Sequence, residues 1–340
     1  MITLYRPSGY DSPRASSFAG RSVDDKPLDV ENGSSFKEID TGRIFRYDKE
    51  NNLWIEQKST TGGAGATEPY IEETYDADGN LIGAKMYGYT KVRDHIYEST
   101  TTLKTVKMPD DISYIGEYAF SGCSKLALTS LPEGLTSIGE SAFSYCTNLA
   151  LTSLPAGVTS IGYGVFQNCS NLAIASLPEG LTSIGESAFS DCTNLALTSL
   201  PAGVTSIDGY AFFSCTKLAL TSLPAGVTSI GYGVFQNCSN LAIASLPEGL
   251  TSIGNYAFAS CTSLALTSLP DGLTSIGESA FKNCTSLTSI TFKGTPTTIN
   301  STAFSGCTNL TDIKVPWAEG AVSGAPWGAT NATITYNYTE

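Results

Sequence analysis

The sequence predicts a mainly β fold: a solenoid of about ten 23-residue coils with parallel β ladders and a short helical turn in each coil. Three observations carry this. Cysteines recur every 23 residues, at Cys123, Cys146, Cys169, Cys192, Cys215, Cys238, Cys261, Cys284 and Cys307. Two more columns keep the step: Phe120, Phe143 and their successors to Phe304 lie three residues before each cysteine, and Leu126, Leu149 and their successors to Leu310 lie three after. Finally, one Phe, one Cys and a few Leu or Ile cannot enclose a core within 23 residues, so each unit needs its neighbours. One parallel strand per coil gives a rise of about 4.8 Å, hence a curved rod roughly 50 Å long.

The elements follow in chain order. Residues 1–33 are polar, carry Pro7, Pro13 and Pro27 and show no apolar periodicity, which reads as an extended anchoring arm. Residues 34–58 alternate apolar and polar in three short runs broken at Asp40-Thr41-Gly42 and Lys49-Glu50-Asn51-Asn52, a small β-meander in which Phe45, Tyr47 and Trp54 are the packing residues. A Gly/Ser/Thr linker fills 59–69. Residues 70–107 form a hairpin cap and a degenerate first coil, in which Thr100 stands where the cysteine would be. The hairpin turn, Asp76-Ala77-Asp78-Gly79-Asn80, begins like a calcium loop but lacks the closing glutamate, so a turn is preferred to a metal site.

Residues 108–316 are the solenoid. Strands are expected at "LTSI" and "VTSI" and at "LALTSL" or "SITF", punctuated by Pro-x-Gly as in Leu131-Pro132-Glu133-Gly134. "ESAFSYC" is expected to make the helical turn, since its apolar residues recur at three to four. Residues 317–340 are the C-terminal cap, with Trp317 and Trp327 as lids over the last apolar end; an aromatic platform for a sugar is the alternative for that pair.

Each cysteine fills a small interior slot. Stacked thiols about 4.8 Å apart with parallel Cβ directions do not suit a disulfide, and no C-x-x-C pair offers a zinc site, so nine buried, reduced thiols are expected. A formal charge of −13 opposes nucleic-acid binding. No run of about 18 apolar residues suits a membrane span, and the N-terminus lacks the pattern of a secretory signal. His95 is the only histidine and lies in the degenerate first coil, while Asp110-Asp111 and Glu72-Glu73 are sequence neighbours that a strand would turn to opposite faces. No Gly-rich loop precedes a lysine. These patterns point away from an enzyme and call for no cofactor or metal.

The repeat "LPEGLTSIGESAFSYCTNL" resembles the BspA-like, Treponema pallidum-type leucine-rich repeat over about residues 92–316. The resemblance implies a leucine-rich-repeat solenoid used in adhesion and binding, with no catalytic residues to carry over. Departures are few: Asp208 replaces the Gly after Ile207, and Val165 and Val234 replace Ala. One 32-residue stretch occurs twice, from Leu154 and from Leu223, which reads as copying of three whole coils. The segment "EIDTGRIFRYDKENNLW" is similar to N-terminal segments of bacteriophage virion proteins. That likeness implies a head or tail fibre or capsid decoration protein, assembled in the bacterial cytoplasm, anchored to other virion proteins through residues 1–58 and commonly oligomeric, often trimeric. The alternative is a BspA-like adhesin of the bacterial cell surface.

A display surface is expected where the columns vary, after Ile-Gly and before Cys. Tyr118, Tyr145, Tyr163, Tyr210, Phe213, Tyr232 and Tyr256 occupy such positions, beside Gln167-Asn168, Gln236-Asn237 and Asn255. Such residues stack on and hydrogen-bond a host-surface glycan or protein, or else are simply solvated turns.

Overall fold

A chain that repeats one short unit must hydrogen-bond its backbone between units, because no unit is wide enough to pair with itself. The computed structural model describes residues 69–339 throughout and, ahead of them, the backbone of the strands Thr3–Pro7, Ser17–Gly20, Ser35–Glu38, Ile44–Asp48 and Leu53–Glu56. It is a parallel-strand β-solenoid of about eleven stacked turns.

One wall is built from two-residue strands at the Ser-Ile pairs of each coil. They pair in parallel and in register within three sheets, Lys91–Val92 to Ser137–Ile138, Ser160–Ile161 to Ser206–Ile207 and Ser229–Ile230 to Thr298–Ile299, so that Ile115 faces Ile138 and Ile253 faces Ile276. The Ile side chains point inward and the Ser side chains outward, as the two-residue alternation of a strand requires. Gly139 N donates to Ile115 O and Gly277 N to Ile253 O, both in the preceding coil.

The Ala-Phe wall is not a helical turn; the described residues contain no helix. Tyr118, Phe120 and Gly122 donate their N–H groups to Glu140, Ala142 and Ser144 of the next coil, while Ala119, Ser121 and Cys123 donate three residues back. This alternation needs left-handed residues four apart, and nine consecutive coils supply them, as at Ser141 and Tyr145 (φ 51° and 59°) or Tyr256 and Ser260 (φ 57° and 61°). A left-handed residue ends any α-helix, so the apolar spacing of three to four here belongs to successive tight turns.

The "LALTSL" segments also depart from expectation. Leu126 and Leu128 are buried, but Thr129 and Ser130 are both exposed before buried Leu131, which breaks the period of two. In "SITF" the alternation persists, and Ser289–Phe292 pairs in parallel with Ser268–Leu269 and Asp312–Lys314.

Between the walls runs the core. Phe120 to Phe304 stack as a ladder with ring centroids 5.1–5.8 Å apart and planes within 4–17° of parallel, all fully buried. Offset stacks of this kind contribute roughly 0.5–1.5 kcal/mol each beyond area burial. Beside them the nine cysteines are unbridged and buried. Each Sγ donates to the carbonyl of the preceding coil's Phe-column residue, as Cys146 to Phe120 O and Cys192 to Phe166 O, both at 3.0 Å. Phe120 O already accepts from Cys123 N, so the thiol occupies its second lone pair and ties one coil to the next.

The ends are closed by variants of the same unit. In the first coil Tyr97 takes the Phe position, stacks on Phe120 at 6.0 Å and directs its hydroxyl to the buried carboxylate of Glu73. Tyr70–Tyr75 and Leu81–Tyr87 form the hairpin, and Thr105–Lys107 joins it in parallel, carrying the cap sheet into the solenoid. The segment read as an arm contributes Thr3–Pro7, antiparallel to Tyr70–Tyr75, and Ser17–Gly20, parallel to Ser35–Glu38. The rest of that arm, the side chains of the meander and the linker up to residue 68 lie outside the described residues. At the other end Trp327 stands 23 residues after Phe304 and accepts Phe304 N, so the cap is an eleventh turn and not a separate lid. Trp327 is fully buried and Trp317 is 6% exposed, which leaves that pair no open face for a sugar.

Burial raises every thiol from an ordinary value near 9, to about 12 for Cys123 and about 11 for Cys307 at the ends and further for the interior ones. A raised thiol stays protonated in the fold while the unfolded chain ionises, so the stability these groups contribute is present below about pH 9 and is lost as pH rises from 9 through 11–12. Each thiol adds a slope of about 1.4 kcal/mol per pH unit in that window. Denaturant midpoints measured under reducing conditions should fall steeply above pH 9, and more gently when several interior cysteines are replaced by alanine.

Candidate binding face

The left-handed turn positions that build the Ala-Phe wall also decide which side chains are displayed. In the first left-handed column small residues stay buried, as Ser141, Ser187 and Ser279 do, whereas a tyrosine there is too large to be enclosed and reaches the surface. Tyr118, Tyr210 and Tyr256 occupy the first left-handed column, at φ 52°, 56° and 57°, and Tyr145 the second, at φ 59°. Tyr163 and Tyr232 precede the left-handed glycines Gly164 and Gly233.

The structure brings four of the seven expected residues together. Tyr210 and Tyr232 lie 5.0 Å apart with planes inclined at 51°, Tyr232 and Tyr256 lie 5.6 Å apart at 45°, and Phe213 meets Tyr210 edge-on at 5.7 Å. Tyr256 Oη donates to Glu278 Oε1 at 2.9 Å. Hydrogen bonding to Tyr232 raises the Tyr210 phenol, and the hydrogen bond to Glu278 raises that of Tyr256. The other three stand apart. Tyr118 stacks on His95 at 5.1 Å, while Tyr145 and Tyr163 make no ring contact among the described residues. His95 is exposed, with Nδ1 2.7 Å from Glu98 Oε2.

Gly233 explains why the ribbon closes. A Cβ there would lie 2.8 Å from Tyr210 Cε1, so the absent side chain is the space the ring occupies. At Gly164, its counterpart in the duplicated block, the neighbour is Ser141 Oγ at 2.9 Å.

Next to the ribbon the Ser-Ile wall bears a shallow, open groove of about 560 Å³, lined among others by Ser252, Asn255, Ser275, Glu278, Thr298 and Asn300. The sequence reading placed Asn255 in the display face and missed the rest, because "LTSI" looks uniform. The signal was the outward Ser or Thr beside each inward Ile, repeated at every coil. The Asp76 turn is a hairpin: Asp76 Oδ1 accepts from Asp78 N and Asn80 N, which holds its carboxyl below the usual range, Asn80 N having the largest effect. Among the described residues no group of His, Cys, Asp and Glu suits a metal ion, and no helix is long and apolar enough to cross a membrane.

Gly233→Ala and Gly164→Ala make a matched pair. Both incur the left-handed backbone cost, of the order of 1–2 kcal/mol, but only Gly233→Ala must also displace an aromatic ring. Thermal denaturation should find Gly233→Ala the less stable of the two by about 1 kcal/mol, the scale of one aromatic contact. Equal losses would mean that Tyr210 gains nothing from resting there.

Comparison with known proteins identifies the repeat. Residues 90–219 and 213–319 match the BspA type leucine rich repeat region. A leucine-rich repeat protein from Bacteroides ovatus is similar over 78% of this chain and 75% of its own, at 23% identity and a TM-score of 0.51, a likeness of fold. A leucine rich cell surface protein from Faecalibacterium prausnitzii is 25% identical over 93% of this chain and 96% of its own, with a TM-score of 0.48. The T. pallidum leucine rich repeat protein is 26% identical over 57% of this chain and 87% of its own, with a TM-score of 0.35. A search of curated proteins returns no match. The family indicated is a repeat scaffold and not an enzyme family. Because the repeat match spans more than half of its length, the chain belongs to the BspA-type leucine-rich repeat family.

Proposed function

We propose that the chain is a non-enzymatic adhesin of the bacterial cell surface, which holds a host-surface or matrix partner against the outer side of its Ser-Ile wall. One observation carries the reading. Rigid parallel strands present a row of outward hydroxyls, Ser229, Ser252, Ser275 and Thr298, as the floor of an open groove edged by Asn255, Glu278 and Asn300. The middle of that floor, Ser252 and Ser275, is fixed by backbone bonds on both sides and loses little conformational freedom on binding, which suits recognition. The groove brings together no histidine, cysteine or lysine that could act as base or nucleophile.

The virion-fibre expectation, with its anchoring through residues 1–58 and its trimeric assembly, rests on the likeness of a short N-terminal segment. None of the proteins reported above is a phage protein, and the repeat family favours the adhesin.

The test is solid-phase binding of the purified full chain to immobilised mucin and to epithelial monolayers. Saturable binding is expected, with a loss of about tenfold or more in the double variant Ser252→Arg and Ser275→Arg, whose altered side chains point outward and leave the core intact. Absence of binding to either surface, or binding indifferent to the double variant, would remove the proposal.

A further inference from the structure

The groove and the tyrosine ribbon are one continuous surface. Glu278 lines the groove and accepts the Tyr256 hydroxyl; Asn255 lines it too and precedes Tyr256 in the chain. From there the rings of Tyr256, Tyr232 and Tyr210 step across three successive turns at 5.6 and 5.0 Å and end at Phe213. Polar planar groups accompany them, since Gln236 Oε1 approaches to 3.2 Å from where a Gly233 Cβ would stand.

We propose that this surface binds an uncharged glycan strand, with sugar rings set against the tyrosine faces and hydroxyl groups taken by Glu278, Asn255 and Gln236. The proposal rests on the adhesin reading and names the ligand class of that site. The chemistry selects it step by step. A row of aromatic faces suits a ligand with apolar C–H faces at a short, regular repeat, and amides with a carboxylate suit a rim of hydroxyls that both donate and accept. An anionic polymer is repelled by a chain of net charge −13, and the groove lining holds no Lys or Arg to pair with one. An apolar peptide would need pockets for its side chains, but the Ile residues of the floor point inward and only hydroxyls and glycine face out.

The duplicated block supplies a control inside the same molecule. Tyr163 and Tyr232 share 32 residues of identical local sequence and are both 44% exposed. They differ in their neighbours: Tyr232 lies between Tyr210 and Tyr256, whereas Tyr163 has no ring partner among the described residues. A site that depends on the ribbon distinguishes them, and one that depends on the tyrosine motif does not.

The experiment is native affinity electrophoresis of the full chain in gels containing soluble neutral polysaccharides, namely β-glucan, galactomannan, arabinoxylan and dextran, at low and high salt. At least one should retard the wild type and Tyr163→Ala equally, independently of salt, with Tyr210→Ala and Tyr232→Ala weakened about tenfold or more while each keeps a single cooperative melting transition. Equal weakening in Tyr163→Ala, or no retardation by any polysaccharide, overturns the proposal. So does salt-sensitive binding of oligolysine that is lost in Tyr232→Ala and Glu278→Gln, which would assign the surface to a basic peptide. Adhesion to mucin or cells that survives Tyr210→Ala and Tyr232→Ala overturns the glycan site and leaves the adhesin reading in place; loss of adhesion in the groove variant alone does the same.

Discussion

The molecule depends on hydrogen bonds and ring stacks that cross from one coil to the next, because no coil contains a closed set of either. On the Ser-Ile wall the donors point to the preceding coil, as Gly139 N to Ile115 O; on the Ala-Phe wall they point to the following one, as Phe120 N to Ala142 O. The two ladders therefore run in opposite directions along the axis. They also leave each end of the stack with donors on one wall and acceptors on the other. The terminal turns meet that need: Trp327 O receives Phe304 N, and Ile82 O receives Lys104 N. Thr100 and Thr330 stand where the cysteines would be in these two turns, at the margins of the stack.

How much of this was legible follows from what a period can encode. Columns of Phe, Cys and Leu located the coils and the core, and the outward Ser beside the inward Ile marked the strand wall. The Ala-Phe turns were misread as helical because a spacing of three to four residues is common to a helix and to consecutive tight turns. The distinguishing sign was Ser, Asn, Asp or Gly recurring four residues apart, residue types that tolerate left-handed backbone, with tyrosines scattered among them. The eleventh turn was hidden because Trp replaced Phe and Thr replaced Cys, which preserves the geometry and removes the letters. The tyrosine ribbon was legible only as a set of candidates. Ring contacts form across neighbouring coils, and a single-coil alignment stacks those positions in columns without saying which are packed.

The cysteine column shows how one small group serves packing and bonding together. A thiol is small enough for the slot beside the Phe stack and carries a donor for the carbonyl's second lone pair. Alanine would fit and leave that lone pair unused; a larger apolar side chain would force the walls apart. The same burial that raises the thiols keeps them as poor nucleophiles, since the thiolate is the reactive form. Chemistry at sulfur is thereby suppressed by the interaction that makes sulfur useful.

Surface identity in such a stack is a property of pairs of coils. The block from Leu154 and the block from Leu223 are the same in sequence, and their tyrosines are equally exposed, yet Gly164 of the first lies against Ser141 and Gly233 of the second against the ring of Tyr210. A whole-coil insertion or deletion keeps every core column in register, because each coil offers its neighbours the same Phe, Cys and Ile. It changes which outward residues become neighbours at the new junction. Copying three coils therefore extends the rod and creates a new surface in one event, without a core residue having to adapt. The tyrosine ribbon straddles the repeated block that starts at Leu223: Tyr232 lies inside it, Tyr210 before its start and Tyr256 beyond its end at Gly254, so the ring contacts are made across both of its junctions.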